Sequence, residues 1–371
     1  MYPSLKKCGL ILLLLTLILS CSKEPKQGDM FSGLSRQGTE NRDNSQQDKM
    51  EQKLAKVAPG YTMTFPQDHN SHPEFAIEWW YVTANLTDQN KQHYALQWTL
   101  FRFASESQVT PWSNAQQYMG HVSLRDGQSA WFEERFARGG VGNAGTSGSP
   151  FSAFIDDWQW RSTSDNPFPS TLKFTIENEV RAELELDANK ALVLHGELGY
   201  SRKSPDSSQA SYYYSQPQIN VTGLLNLPTG TVKVTGKAWY DHEWTSQYLN
   251  PHASGWDWFS IHFDNGGKLM LFNMRHKQTK EFWSGTLVTE QGATVHLTEQ
   301  DIIAKVTKQQ KVAGRLLPLN WSIDLPKYNI QLQISPLQIQ QWNPGTFSYY
   351  EGGTKISGSH TGVGFIELTG Y

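Results

Sequence analysis

Four consecutive residues, Asp241, His242, Glu243 and Trp244, set two carboxyl groups, an imidazole and an indole inside an aromatic run, GKAWYDHEWTSQYLNPHASGWDWFSIHF from Gly236 to Phe263. Ionisable groups among that many rings are costly to bury unless paired, and such crowding is one mark of a site. Successive side chains of an extended chain face opposite sides, so a strand over Lys237 to Trp244 puts Trp239, Asp241 and Glu243 on one face. Tyr240, His242 and Trp244 then share the other. An acid on such a face has its proton affinity raised by desolvation and can serve as a general acid, while nearby rings stabilise a developing carbocation. That combination suits protonation of an alkene followed by capture of the cation by water. The same residues also suit a structural arrangement, in which Asp241 or Glu243 pairs with Arg275 or Arg102 and the tryptophans fill barrel ends.

Glu78 opens a second cluster with Trp79, Trp80 and Tyr81. In a cavity Glu78 is a second acid; at a rim it is a solvated charge. Trp80 packed beneath Arg102 or Arg275 is a structural alternative to a ligand-lining role. The stretch from Glu78 to Arg102 echoes the later one: Trp80 to Thr83 lie over Trp258 to Ile261, and Thr87 to Asn90 over Asp264 to Gly267. Two related hairpins far apart in one chain suggest two similar domains.

Other chemistries find little support. The histidines, His69 and His72 in a polar loop and His93, His121, His195, His242, His252 and His262 scattered along the chain, lack HxH or HExxH spacing, so no metal is expected. No GxSxG marks a serine nucleophile, which counts against a hydrolase. The Gly-rich stretch Gly139 to Ser149 has no lysine and no following helix, so it is expected to be a flexible loop. A net charge of -3 gives no electrostatic reason to expect nucleic acid, and protein partners are left open.

The elements that must position these residues read as strands. There are 14 Trp, 15 Tyr and 17 Phe against 18% charged residues, and aromatic or β-branched runs alternate with Gly, Asn, Asp and Pro. Only short helices are expected, near Glu51 to Lys56 and Glu299 to Lys305. The fold class is therefore all-β, with many antiparallel strands in each half and closure into barrels removing exposed edges.

The N-terminus reads as an address. Lys6 and Lys7 precede the apolar run Leu10 to Leu19, too short for a comfortable membrane span and followed by Cys21, in a sequence resembling a bacterial lipobox. The resemblance implies cleavage before Cys21, its lipidation, and a tether to a membrane of the bacterial cell envelope; Ser22 points to the outer membrane, facing the periplasm. Cys8 leaves with the signal, so the mature chain carries no free thiol for a disulfide. The polar segment that follows cannot bury a core. The expected division is a signal peptide over 1–20, a tether over 21–60, one barrel over 61–215 and a second over 216–371.

Five segments, EWWYVTANL, GYSRKSPDSSQASYYYSQPQINVTG, AWYDHEWTSQYL, GWDWFSIHFDNGGKLMLFNMR and YYEGGTKISGSHTGVGFIELTGY, together resemble the AttH-like proteins, the lipocalin-like family that includes carotenoid 1,2-hydratases. The resemblance, from about Tyr61 to Tyr371, implies two lipocalin-like (calycin) antiparallel β-barrels in tandem. For the hydratase branch it implies acid-catalysed addition of water to an acyclic carotenoid or isoprenoid-like lipid, without a cofactor. It carries catalytic roles onto Asp241, as proton donor, with His242, Glu243 and Glu78, and cavity-lining roles onto Trp79, Trp80, Tyr81, Tyr240, Trp244, Asp257 and Trp258. The competing reading is a non-catalytic lipocalin-type carrier of lipophilic ligands at the envelope.

Overall fold

The computed structural model describes residues 54–105, 109–247, 253–277 and 280–371. The expected signal peptide and Cys21 lie outside the described residues. Strands of the first half are β1 (Ile77–Asp88), β2 (His93–Ala104), β3 (Gln116–Arg125), β4 (Ala130–Arg138), β5 (Ala144–Gly148), β6 (Phe151–Ile155), β7 (Trp158–Ser162), β8 (Ser170–Ile176), β9 (Val180–Asp187), β10 (Val193–Leu194), β11 (Tyr200–Arg202), β12 (Ala210–Leu227) and β13 (Gly230–Thr245). The second half holds β14 (Ala253–Phe263), β15 (Lys268–His276), β16 (Phe282–Val288), β17 (Thr294–Leu297), β18 (Ile303–Val312), β19 (Arg315–Leu325), β20 (Ile330–Pro336), β21 (Trp342–Asn343), β22 (Tyr349–Gly358) and β23 (Gly362–Leu368).

These strands make two antiparallel sheets in tandem, the first curled into a nearly closed barrel and the second into a half-barrel. In the first sheet β1 lies between β2 and β13, and β13 between β1 and β12; in the second, β14 lies between β15 and β23. The expected all-β fold of two lipocalin-like barrels is therefore the observed one. Among the described residues no helix is long and apolar enough to cross a membrane.

Burial explains which strands carry the site. Outer strands follow strict period-two patterning: Val180, Ala182, Leu184 and Leu186 of β9 are buried while the residues between them are exposed. Strands β1, β2 and β14 are buried almost continuously, because one face lines a barrel and the other packs against the opposite sheet. Trp80, Val82 and Ala84 of β1 thus join the first barrel's core, whereas Tyr81 joins Trp239, Trp258, Met270, Phe272 and Phe365 between the sheets. Polar bridges also cross this interface: Asn85 Nδ2 donates to Gly364 O at 3.1 Å, and Arg125 Nη2 to Asn343 Oδ1 at 2.7 Å.

Four expectations need correcting. The boundary at 215/216 falls inside β12, whose long hairpin with β13 keeps the first sheet going to Thr245. Glu299 to Lys305 is not helical, because the Asp301 carboxylate accepts from Thr298 N at 2.9 Å and Oγ1 at 2.8 Å, closing a turn that feeds β18. Within Gly139 to Ser149, the residues of β5 pair with β6, the tertiary partner overriding weak local propensity. Leu54 to Lys56 is not helical either, and the rest of that expected helix lies outside the described residues.

Candidate functional site between the sheets

Asp241 is placed by strand pairing. On β13 it stands opposite Tyr81 of β1 on one side and Ser215 of β12 on the other. The alternation read from the sequence holds: Trp239, Asp241 and Glu243 face the second sheet, while Tyr240, His242 and Trp244 face into the first barrel. Three neutral groups donate to the Asp241 carboxyl: Tyr213 Oη at 2.8 Å, Trp239 Nε1 at 2.6 Å, and Ser215 Oγ. Among the described residues no cation pairs with it. Burial pushes its pKa up to about 7; the three donors oppose the rise and the Glu243 charge adds to it. The nearby cation is taken elsewhere, since Lys203 Nζ pairs with Glu243 Oε1 at 2.8 Å. It also lies 4.8 Å from the Tyr213 ring centre and 4.4 Å from that of Phe272. The rings of this face therefore already hold one positive charge.

Across the interface the second sheet supplies two more carboxyls. Glu351 and Glu367 stand directly opposite each other on β22 and β23. Tyr81 donates its phenol to Glu351, Trp256 Nε1 donates to Glu367 at 2.6 Å, and Asn343 Nδ2 donates to Glu351 at 3.1 Å. Burial raises both groups, Glu367 to about 7 and Glu351 well above the usual carboxylate range, with Glu367 adding repulsion on Glu351. Tyr81 and Trp258 meet edge to face at 5.3 Å, and Trp258 Nε1 reaches Tyr213 Oη at 3.2 Å. The acid on β13 and the carboxyl pair on β22 and β23 thus flank one aromatic partition.

Glu78 has a different setting. It points into the first barrel, where its Oε2 accepts from Arg102 Nε at 2.8 Å and from the His72 backbone N–H at 2.8 Å. Its Oε1 accepts from His72 Nδ1 at 2.6 Å and His242 Nε2 at 2.9 Å. Burial would raise Glu78, but the charges of His72 and Arg102 hold it well below the usual range. Burial likewise opposes charge on His72, yet Glu78 and Asp68 lift it to about 9. Buried His242 is held neutral, its pKa lowered; it donates from Nε2 to Glu78 and accepts at Nδ1 from Tyr214 Oη, 3.0 Å away. Trp80 stacks on the His242 ring at 4.7 Å and Trp244 on His72 at 3.9 Å, so the indoles pack against imidazoles.

Comparison with known proteins agrees with this architecture. The AttH-like family profile matches residues 56–371. The crystal structure of an AttH-type protein from Nitrosomonas europaea matches with a TM-score of 0.77 at 33% identity, covering 86% of this chain and 99% of that one. The chain belongs to the AttH-like family. Kievitone hydratase from Nectria haematococca aligns with a TM-score of 0.63 at 15% identity, over 85% of this chain and 95% of its own, a likeness of fold. No curated protein sequence matches the chain.

In this AttH-like chain the residues singled out from sequence fall into three groups. Asp241, Glu243, Tyr81 and Trp258 meet between the sheets, with Trp79 and Trp256 beside them. Glu78, Trp80, Tyr240, His242 and Trp244 belong to the first barrel's interior. Asp257 points into the half-barrel, where Arg275 Nε lies 3.1 Å and Tyr371 Oη 2.7 Å from Oδ1; burial outweighs Arg275 and raises its pKa. The two arginines weighed as partners for Asp241 thus bind Glu78 and Asp257 instead. Tyr213, Ser215, Glu351 and Glu367 were not singled out from sequence, although all four lie in segments that carry the family resemblance. Their signal is a polar side chain at an interior position of an aromatic strand.

The ligand atoms of His72, Glu78 and His242 lie within 4.8 Å of one another, a spacing compatible with a metal ion. Their contacts are hydrogen bonds, however, and a cation there would sit beside Arg102, already on Glu78 at 2.8 Å. The donor set fits protons better than a metal.

Proposed function

We propose that the face around Asp241 is a hydratase site for an apolar unsaturated lipid of carotenoid or isoprenoid-like type. Asp241 gives its proton to one carbon of a carbon–carbon double bond, the π electrons forming the new C–H bond. The neighbouring carbon becomes a carbocation, water attacks it, the oxonium loses a proton to water, and the Asp241 carboxylate takes one up again. The sum is addition of one water, with no change of oxidation state and no cofactor. The carrying observation is a buried carboxyl with three neutral donors and, among the described residues, no paired cation, its pKa pushed up to about 7 beside the Tyr81, Tyr213 and Trp258 rings. A general acid works best when its pKa lies near the working pH, and such proton transfer contributes roughly 10²–10⁴-fold. The fold shared with a kievitone hydratase supports the reading as a scaffold on which hydration occurs. As a further part of the proposal, acylated Cys21 tethers the chain to the outer membrane, within reach of lipid substrates.

The test is mass spectrometry of a lipid and polyene extract incubated with the purified protein or with Asp241→Asn. A product heavier by one water, formed by the unsubstituted protein alone, is expected. A lipid retained unchanged by both proteins would overturn the hydratase and make the chain a carrier.

A further inference from the structure

The Asp241 carboxyl does not end its hydrogen-bond chain at Ser215. Ser215 Oγ lies 2.6 Å from His195 Nε2, and His195 Nδ1 lies 2.8 Å from Thr286 Oγ1. The four groups run from β13 through β12 and the segment after β10 to β16 in the opposite sheet. Asp241, Ser215, His195 and Thr286 are all buried, and Thr286 stands opposite exposed His296 across the β16–β17 pair. The chain therefore runs from the buried acid to Thr286 of the opposite sheet, next to the strand that carries exposed His296.

Each member can both donate and accept, so the chain has two complete patterns. When Asp241 is ionised, Ser215 donates to Oδ1, His195 Nε2–H donates to Ser215, and Thr286 donates to Nδ1. When Oδ1 carries a proton, Asp241 donates to Ser215, Ser215 donates to Nε2, and Nδ1–H donates to Thr286. We propose that Ser215 and His195 form a proton relay for Asp241, its two states distinguished by the His195 tautomer and its outer end at Thr286. No hydrogen bond is lost in either state. Passing from one to the other moves a proton at each link, and the proton that Thr286 Oγ1 gives to His195 Nδ1 is replaced from water, so one proton is taken up as Asp241 is protonated.

Burial, reinforced by Lys203 and His296, holds His195 well below its ordinary pKa, so it stays neutral across the working range. It can therefore report a tautomer change without gaining charge. The titratable groups facing Asp241 and His195 from the packed elements are Glu243, Tyr213, Tyr81, Lys203 and His296. Burial and the Asp241 and Glu243 charges raise Tyr213, keeping it a phenol throughout.

The use of this relay in turnover rests on the hydratase reading; its existence does not. The test is nitrogen NMR of the full-length protein labelled in its histidine rings, with carbon NMR of the Asp241 carboxyl, from pH 5 to 9. His195 is expected to carry its proton on Nε2 above the Asp241 midpoint and on Nδ1 below it. Ser215→Ala is expected to leave His195 in one tautomer at every pH, and Thr286→Val to weaken the low-pH form. A His195 that keeps one tautomer while Asp241 titrates would overturn the relay and place the proton on Oδ2, towards Tyr213. In turnover, Ser215→Ala is expected to lower kcat by about 10-fold or more with KM unchanged, within the range of a proton-transfer step. If no lipid gains water but the tautomer follows Asp241, the hydratase reading fails and the relay stands.

Discussion

Asp241 and His242 are neighbours on one strand, yet they belong to opposite chemical regimes. On the His242 side, Glu78 is buried with Arg102 and His72 against it, and those charges hold it ionised. On the Asp241 side, a carboxyl buried as deeply meets only a phenol, a hydroxyl and an indole, and its pKa rises to about 7. Desolvation acts on both; the presence of a cation decides which way the proton goes. Glu78, Arg102 and His242 are 0% exposed, while Asp241 is 3%, Glu243 and Trp258 6% and Phe272 7% exposed. His72, the other cation of the locked cluster, is 8% exposed, so depth of burial does not separate the two; the locked cluster lies inside a barrel and the poised one where two sheets meet.

The contrast breaks most visibly if a cation is removed from the locked cluster. Arg102→Met leaves the buried Glu78 carboxylate with His72 as its remaining charged partner and its Oε2 without the guanidinium, and we expect a loss of about 3–5 kcal/mol in denaturant unfolding. Adding Glu78→Gln restores part of that loss, because it removes the buried carboxylate that lost its guanidinium. In the poised cluster Asp241→Asn keeps shape and hydrogen-bond capacity, so the protein stays folded while hydration falls by about 10²–10⁴-fold in rate assays.

The pH dependence of stability sharpens the comparison. Folded Asp241 binds its proton more tightly than the unfolded chain does, so its contribution is present at low pH and is lost as pH rises from about 4 through 7. Asp241→Asn should flatten that part of the profile by on the order of 4 kcal/mol. His72, raised to about 9, contributes below its ordinary pKa and loses that contribution as pH rises through 9. The decline between pH 7 and 9 should therefore persist in Asp241→Asn. Glu78 works in the opposite direction, its contribution present above the usual carboxylate range and lost on acidification. Guanidinium unfolding from pH 2 to 9 separates the three. The smallest effect is expected from Tyr81→Phe, which removes the phenol from Glu351 and should cost about 1–3 kcal/mol in the same assay.

Much of this contrast was legible in the sequence. Period-two alternation assigned Asp241 and His242 to opposite faces, and the aromatic runs gave the all-β fold. The internal echo was legible too, but one residue out of register along its strands. Trp80 lies in the first barrel's core while Tyr81 faces Trp258 between the sheets, so Tyr81 is the counterpart of Trp258. The turn alignment of Thr87 with Asp264 already carries that offset. What the sequence withheld was long-range partnership. Nothing local tells Arg102 from Arg275 as a partner for Asp241; cross-strand register does, setting Arg102 opposite Glu78 and Asn273 opposite Asp257. His195 and Thr286, separated by 91 residues, meet only because two sheets pack face to face.

The measurement that bears most directly on this account is the titration of the Asp241 carboxyl by carbon NMR, with Asp241→Asn to assign the signal. A midpoint near 7 is expected, from burial without a cation. A midpoint near 4, the ordinary range for aspartate, would mean that Asp241 is ionised at working pH and is not the proton donor.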